Sequence, residues 1–158
     1  MSLATKRSHN MISYYVVCMI SLAGGQQLDR PVVVEMSAPP VDETSKALSV
    51  VSSLPANVVL ALDHVGLDEG GLSLVSLLRP ALVKLRPDTV RGISADLCRQ
   101  AQVKSMIAAL GEFGGQLQAV GIETSEELNS MRELGVHFGQ GFLLGRPQEF
   151  IDASTEVR

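Results

Sequence analysis

The apolar positions of this 158-residue chain change period repeatedly, and each change marks an element. Toward the C-terminal end, Leu117, Ala119 and Gly121 alternate with Gln118, Val120 and Ile122. That short, nearly continuous apolar run suits a strand buried on both faces. Gly121 loosens the backbone after it. Thr124 and Glu127 then have the spacing of a capping box. Leu128, Met131 and Leu134 recur at helical intervals, and Gly135 is placed to end the helix. Val136 to Leu144 reads as a second strand, interrupted by Gly139 and Gly141. The stretch from Gln118 to Pro147 is therefore a βαβ unit, with Glu123 at the end of its first strand and Gln140 inside its second. Strand C-termini are where α/β proteins tend to place chemistry.

The rest of the chain repeats this alternation. Residues 1–10 form a disordered lead-in with no pattern to bury, and Ser13 to Ile20 is the first strand candidate. A loop over Ala23 to Arg30 leads to a strand at Val32 to Glu35, which Pro39 and Pro40 stop. Asp42 is expected to cap a helix whose inward face is Ala47, Leu48, Val51 and Leu54, with Pro55 closing it. Val58 to Asp63 is an apolar strand ending on Asp63 and His64. After the loop Gly66 to Gly71 come a short helix over Leu72 to Leu78 and a strand over Leu82 to Leu85 with Lys84 at its polar position. A longer helix is predicted from Ser94 to Leu110, packing through Leu97, Ala101, Met106 and Leu110. The alternation predicts right-handed crossovers and about six mostly parallel strands.

The expected fold is α/β; a TIM-type (β/α)8 barrel takes about 250 residues, so one formed by this chain would have to be incomplete or modified. The expected organisation is a lead-in over 1–10, one α/β domain over 11–151 and a frayed tail over 152–158. Between Ile20 and Val32 there is room only for a short loop, so a crossover helix is missing there. The sheet must stay open, be closed by the N-terminal segment, or be completed by another chain. An open edge exposes unpaired backbone, which makes self-association a natural remedy.

Composition narrows the function classes. Hydrophobic residues make up 46%, charged residues 19% and aromatics 4%, an ordinary soluble balance. A net charge of −4 without a basic stripe gives no reason to expect a nucleic-acid polymer as partner. Cys18 and Cys98 lack metal-like spacing and suit a reducing cytoplasm. Met11 to Gln27 carries no charge, follows Lys6 and Arg7, and ends in small residues, the outline of a leader. Its β-branched and aromatic content (Tyr14, Tyr15, Val16, Val17, Ile20) favours a strand, and it is short for a membrane span. A cytoplasmic location without membrane attachment is expected.

The segments AVGIETSEEL and ELGVHFGQGFLLGRP resemble the last two βα units of the EAL domain, the cyclic di-GMP phosphodiesterase fold. The resemblance extends back through VVLALDHVG and LVKLRP, more weakly to VVVEMSAPP, and covers roughly Pro31 to Ile151. It implies a two-metal hydrolytic site, in which divalent ions held by carboxylates activate water and neutralise the leaving oxygen. The tripeptide that names the family is missing, as are its companion arginine and the early-strand asparagine, near which Cys18 and Met19 stand.

Glu35 matches a metal-binding glutamate of the family; the alternative is a residue leading out of a strand into solvent. The second acid of that motif is replaced by Ala38. Asp63 matches the first of two paired aspartates, while the second is His64, a poor magnesium ligand whose plainer reading is a hydrogen-bonded loop residue. Val65 replaces a phenylalanine, and the loop LDEGG departs from the family's GTG-type sequence, which couples metal occupancy to dimerisation. Lys84 matches a lysine that orients the attacking water. Without metals beside it, an ion pair with Glu123 or Asp63 is the preferred role. Arg86 replaces an acid. Val120 stands where the family has a metal-binding glutamate and has no lone pair to offer. Glu123 matches a residue that braces the loop after the paired aspartates. Gln140 matches a residue near the metal-bound water, and its plainer reading is a buried amide bonded to backbone.

Of the acids that the resemblance assigns to metal, only Glu35 and Asp63 remain. The expectation is a catalytically degenerate EAL-like protein, without a resident cofactor, that works in bacterial signalling through protein–protein contacts as a homo-oligomer or with a signalling partner. Lys84, Glu123 and Gln140 would then be catalytic remnants. Two alternatives stand beside it. One is a receptor that binds cyclic di-GMP without cutting it. The other is a weak magnesium- or manganese-dependent phosphodiesterase using Glu35, Asp63, His64 and Lys84. A plainer reading is a piece of a larger multidomain protein.

Overall fold

In this computed structural model the described residues are 32–145. They form a five-stranded, wholly parallel sheet with its strands in sequence order. The strands are β1 (Val32–Ser37), β2 (Val58–Val65), β3 (Leu82–Leu85), β4 (Gln116–Val120) and β5 (Phe138–Gln140). The helices are α1 (Thr44–Ser52), α2 (Glu69–Leu78), α3 (Pro87–Val90), α4 (Leu97–Gly111) and α5 (Ser125–Glu133). This is the predicted α/β class with part of a barrel wall. The strand expected at Ser13 to Ile20, the lead-in and the tail after Pro147 lie outside the described residues.

Side chains alternate between faces along a strand, and the register assigns each to a face. Met36, Leu60, Leu62, Val83, Leu85, Leu117 and Ala119 point one way and are buried. They make the core with Ala47 of α1, Leu74, Val75 and Leu78 of α2, Val103, Met106 and Leu110 of α4, and Met131 of α5. The opposite face carries Val33 and Glu35, Val59, Ala61 and Asp63, Leu82 and Lys84, Gln118 and Val120, then Phe138 and Gln140. Apart from buried Ala61, these residues are half-buried or exposed. Among the described residues helices cover one side of the sheet and leave the other, which corresponds to a barrel interior and carries the polar residues, uncovered.

Several boundaries differ from the sequence reading, each for a local reason. Asp42 does not cap α1. The Glu43 amide donates to the Pro40 carbonyl, closing a 3-10 turn over Val41–Glu43, and Glu43 holds the cap position without a side-chain bond. Helix α2 starts at Glu69, before Leu72, because the Asp68 carboxylate accepts from the Gly71 amide at 2.8 Å and caps the first turn. The helix predicted over Ser94–Leu110 starts later: a 3-10 turn at Ile93–Ala95 takes its first residues, and α4 begins at Leu97, capped by Asp96 accepting from the Arg99 amide, while α3 lies before that turn. Leu97 is therefore at the first turn and 78% exposed, Ala101 is exposed too, and Val103, Met106 and Leu110 make the inward face.

The second strand of the C-terminal unit is only Phe138–Gln140, shorter than Val136–Leu144. Gly141 begins a turn, with Leu144 and Gly145 amides donating to its carbonyl and the Leu143 amide donating to Ile122. A side chain at Gly141 would collide with the Ile122 backbone. The capping box at Thr124 and Glu127 is present as predicted, and Met131 is the buried residue on the helical face.

Candidate functional site

Asp63, Lys84 and Gln140 lie at or near the C-terminal ends of their strands on the face away from the helices, and Glu123 follows β4. Glu35 lies inside β1 and not at its end, since the strand continues to Ser37. Its Oε2 is 2.5 Å from Lys84 Nζ, with the two side chains only 18% and 20% exposed. The preference for Lys84 as an ion-pair residue is met, but its partner is Glu35, neither Glu123 nor Asp63. Ala61 is the register partner of Glu35 and of Leu82, two residues before Lys84, so the pair bridges β1 and β3 diagonally across β2.

Asp63 sits opposite Ser37, where the β2–β3 register is irregular between Leu62 and Val65. The next residue, His64, takes a left-handed φ of 59°, uncommon for a residue with a side chain. That turn brings His64 Nδ1 to 2.7 Å from Asp63 Oδ2, with the imidazole 64% exposed. Asp63 and His64 thus engage each other, in keeping with the hydrogen-bonded reading of His64. Arg86 turns outward to Asp88 at 3.2 Å.

On the far side, the amide oxygen of Gln140 accepts from Gln118 Nε2 at 3.0 Å. Gln140 is exposed, so it is not the buried, backbone-bonded amide of the plainer reading. Its own carbonyl accepts the amides of Gly121 and Ile122, which ties the loop after β4 to β5. Gly121 has a φ of 84°, and a Cβ there would stand 2.7 Å from the Pro87 side chain. Glycine is required at that bend. Val120, Gly121, Glu123, Gln140, Gly141, Phe142 and Gly145 line an open cleft of about 410 Å³.

Glu123 does not reach the loop after β2. It meets Arg91 at 3.3 Å, with both side chains largely exposed. The buried acid beside it is Glu127, only 5% exposed. Its carboxylate accepts amides from Glu123 (2.9 Å), Thr124 (3.1 Å) and Gly92 (3.3 Å). Burial pushes its pKa upward, but these three backbone donors and the Arg91 charge outweigh it and hold the carboxyl below its ordinary value. The capping spacing announces Glu127 in the sequence. Its bond to Gly92, distant in the chain, has no sequence signal. Among the described residues, no three of the His, Cys, Asp and Glu side chains converge as a metal site.

The model of the EAL domain matches residues 18–147. A probable cyclic di-GMP phosphodiesterase of Escherichia coli, PdeD, is 34% identical over 97 residues, covering 61% of this chain and 18% of the relative. The blue light- and temperature-regulated antirepressor BluF of the same organism is 27% identical over 105 residues, 66% of this chain and 26% of the relative. Among solved structures, a manganese and cyclic di-GMP complex of Klebsiella pneumoniae BlrP1 superposes with a TM-score of 0.61 and 30% identity, covering 73% of this chain and 30% of that one. The chain therefore spans a minor part of the proteins it matches. With the motifs in order along a parallel, barrel-like wall, the family match over most of the sequence is decisive, and the chain belongs to the EAL domain family.

Proposed function

We propose that this chain is a catalytically degenerate EAL domain that acts in bacterial cyclic di-GMP signalling through protein–protein contacts. The observation that carries the proposal is the Glu35–Lys84 pair. An acid matched to a metal ligand has its charge met by a lysine from two strands away. Asp63, the other matched acid, is engaged by His64. Val120 presents an aliphatic side chain on the same face as these acids. Two carboxylates, each already partnered, do not fit a pair of divalent ions that must clamp both entering and leaving oxygens.

The contact role draws support from the uncovered face and from relatives of more than one kind. PdeD is named as a probable phosphodiesterase, whereas BluF is named as an antirepressor. Phe138 is an exposed apolar side chain on that face, and Phe142, Leu143 and Leu144 are exposed in the turn that follows β5.

A receptor reading has one specific observation in its favour. The cleft beyond β4 and β5 brings Gln140 and the glycine turns beside Phe142. Its volume suits part of a nucleotide. Calorimetric titration with cyclic di-GMP, with and without magnesium or manganese, followed by analysis for linear product, tests both readings. The proposal expects no product in any mixture. Metal-dependent product overturns it, and heat without product moves the function to the receptor.

A further inference from the structure

The failure of the acids to fit a metal pair raises a question of charge. A carboxylate on a half-buried sheet face must be neutralised or solvated. We infer that the Lys84 ammonium is the resident cation of this face: it stands at Glu35 where a divalent ion would otherwise stand, and it ties β1 to β3 without metal. The inference rests on the degenerate reading above and deepens it.

The geometry supports this at three points. The Lys84–Glu35 contact is the most shielded of the described ion pairs, with both partners about four-fifths buried. The pair spans β2 diagonally, since Ala61 is in register with Glu35 on one side and with Leu82, two residues before Lys84, on the other. Asp63 is two residues further along on the same face, so removing the ammonium would leave two carboxylates as diagonal neighbours. Such a pair can hold one oxygen-seeking cation weakly. Lys84 therefore acts as a positioning residue, and its charge makes the sheet face independent of divalent ions.

Thermal unfolding of the full chain tests this directly, comparing wild type, Lys84→Met and the Glu35→Gln/Lys84→Met double variant in chelator and in millimolar manganese. The wild-type Tm is expected to be the same in both. Lys84→Met in chelator is expected to melt lower by about 5 °C or more. Manganese should return part of that loss, and the double variant should not respond. A Lys84→Met protein that melts with wild type in chelator, or that manganese does not restabilise, overturns the inference. Should Lys84→Met fail to fold, manganese titration of wild type and Glu35→Gln followed by electron paramagnetic resonance decides it. No uptake by wild type sustains the inference; uptake that depends on Glu35 refutes it. None of these readouts involves nucleotide hydrolysis. Failure here is thus distinct from the appearance of linear product, which would overturn the functional reading instead.

Discussion

Glu35 and Lys84 meet across an intervening strand: Ala61 of β2 is the register partner of Glu35 and of Leu82, two residues before Lys84. The contact depends on what β2 leaves vacant as well as on opposite charge. Ala61 is 1% exposed, so its methyl has no room to grow. Ala61→Leu should wedge the pair apart and overpack the face, at a cost of about 1–3 kcal/mol. Urea unfolding measures this. An unchanged midpoint would mean that the pair does not lie over β2 in solution.

Gly121 and Gly135 provide a comparison within one unit. Both have left-handed φ, 84° and 86°. An added Cβ at Gly121 would press on Pro87, whereas at Gly135 it meets nothing within 4 Å. Gly135→Ala should cost only the backbone strain, about 1 kcal/mol. Gly121→Ala adds the steric clash and should cost about 2–3 kcal/mol. Equal losses in denaturant unfolding would show that Pro87 yields without penalty.

The contrast between these positions also shows what was legible in the sequence. Local signals were read well. The Thr124–Glu127 box, the Leu82–Leu85 strand and the βα alternation follow from residues close together in the chain. Signals decided by competition between neighbours were misread. Asp42 and Asp68 are both capping residue types, yet only Asp68 caps, because the Pro40 carbonyl had already drawn the chain at Asp42 into a 3-10 turn. Contacts set by register lay out of reach altogether. Lys84 is polar on any reading, but its choice of Glu35 over Asp63 depends on how β1, β2 and β3 align, which no local pattern encodes.

Glu127 should give the protein a measurable pH dependence. Against the upward push of burial, the three backbone donors and the Arg91 charge hold its folded carboxyl below the ordinary glutamate value. A depressed acid contributes stability that is fully present above the unfolded pKa and is lost as pH falls through the folded pKa. The stability difference between wild type and Glu127→Gln should therefore be constant near neutral pH and shrink below about pH 4.5. The neutral-pH difference should be about 1–2 kcal/mol, because an amide keeps one acceptor but not the charge that binds three backbone donors. A difference that grows on acidification would contradict this assignment.

Phe138 separates folding from association. It belongs to the uncovered face, pairs in register with Gln118, and is 48% exposed. A side chain that the fold leaves half in water contributes modestly to stability, so Phe138→Thr, which keeps strand preference, should change unfolding by less than about 1 kcal/mol. If the uncovered face is a contact surface, the same substitution removes an aromatic anchor and should weaken association by about tenfold or more. Sedimentation velocity over a concentration series reads that change directly. An association constant that Phe138→Thr leaves intact would place the contact elsewhere. A large loss of stability would mean instead that Phe138 is covered within the chain's own fold, and the protein–protein role would have to rest on another surface.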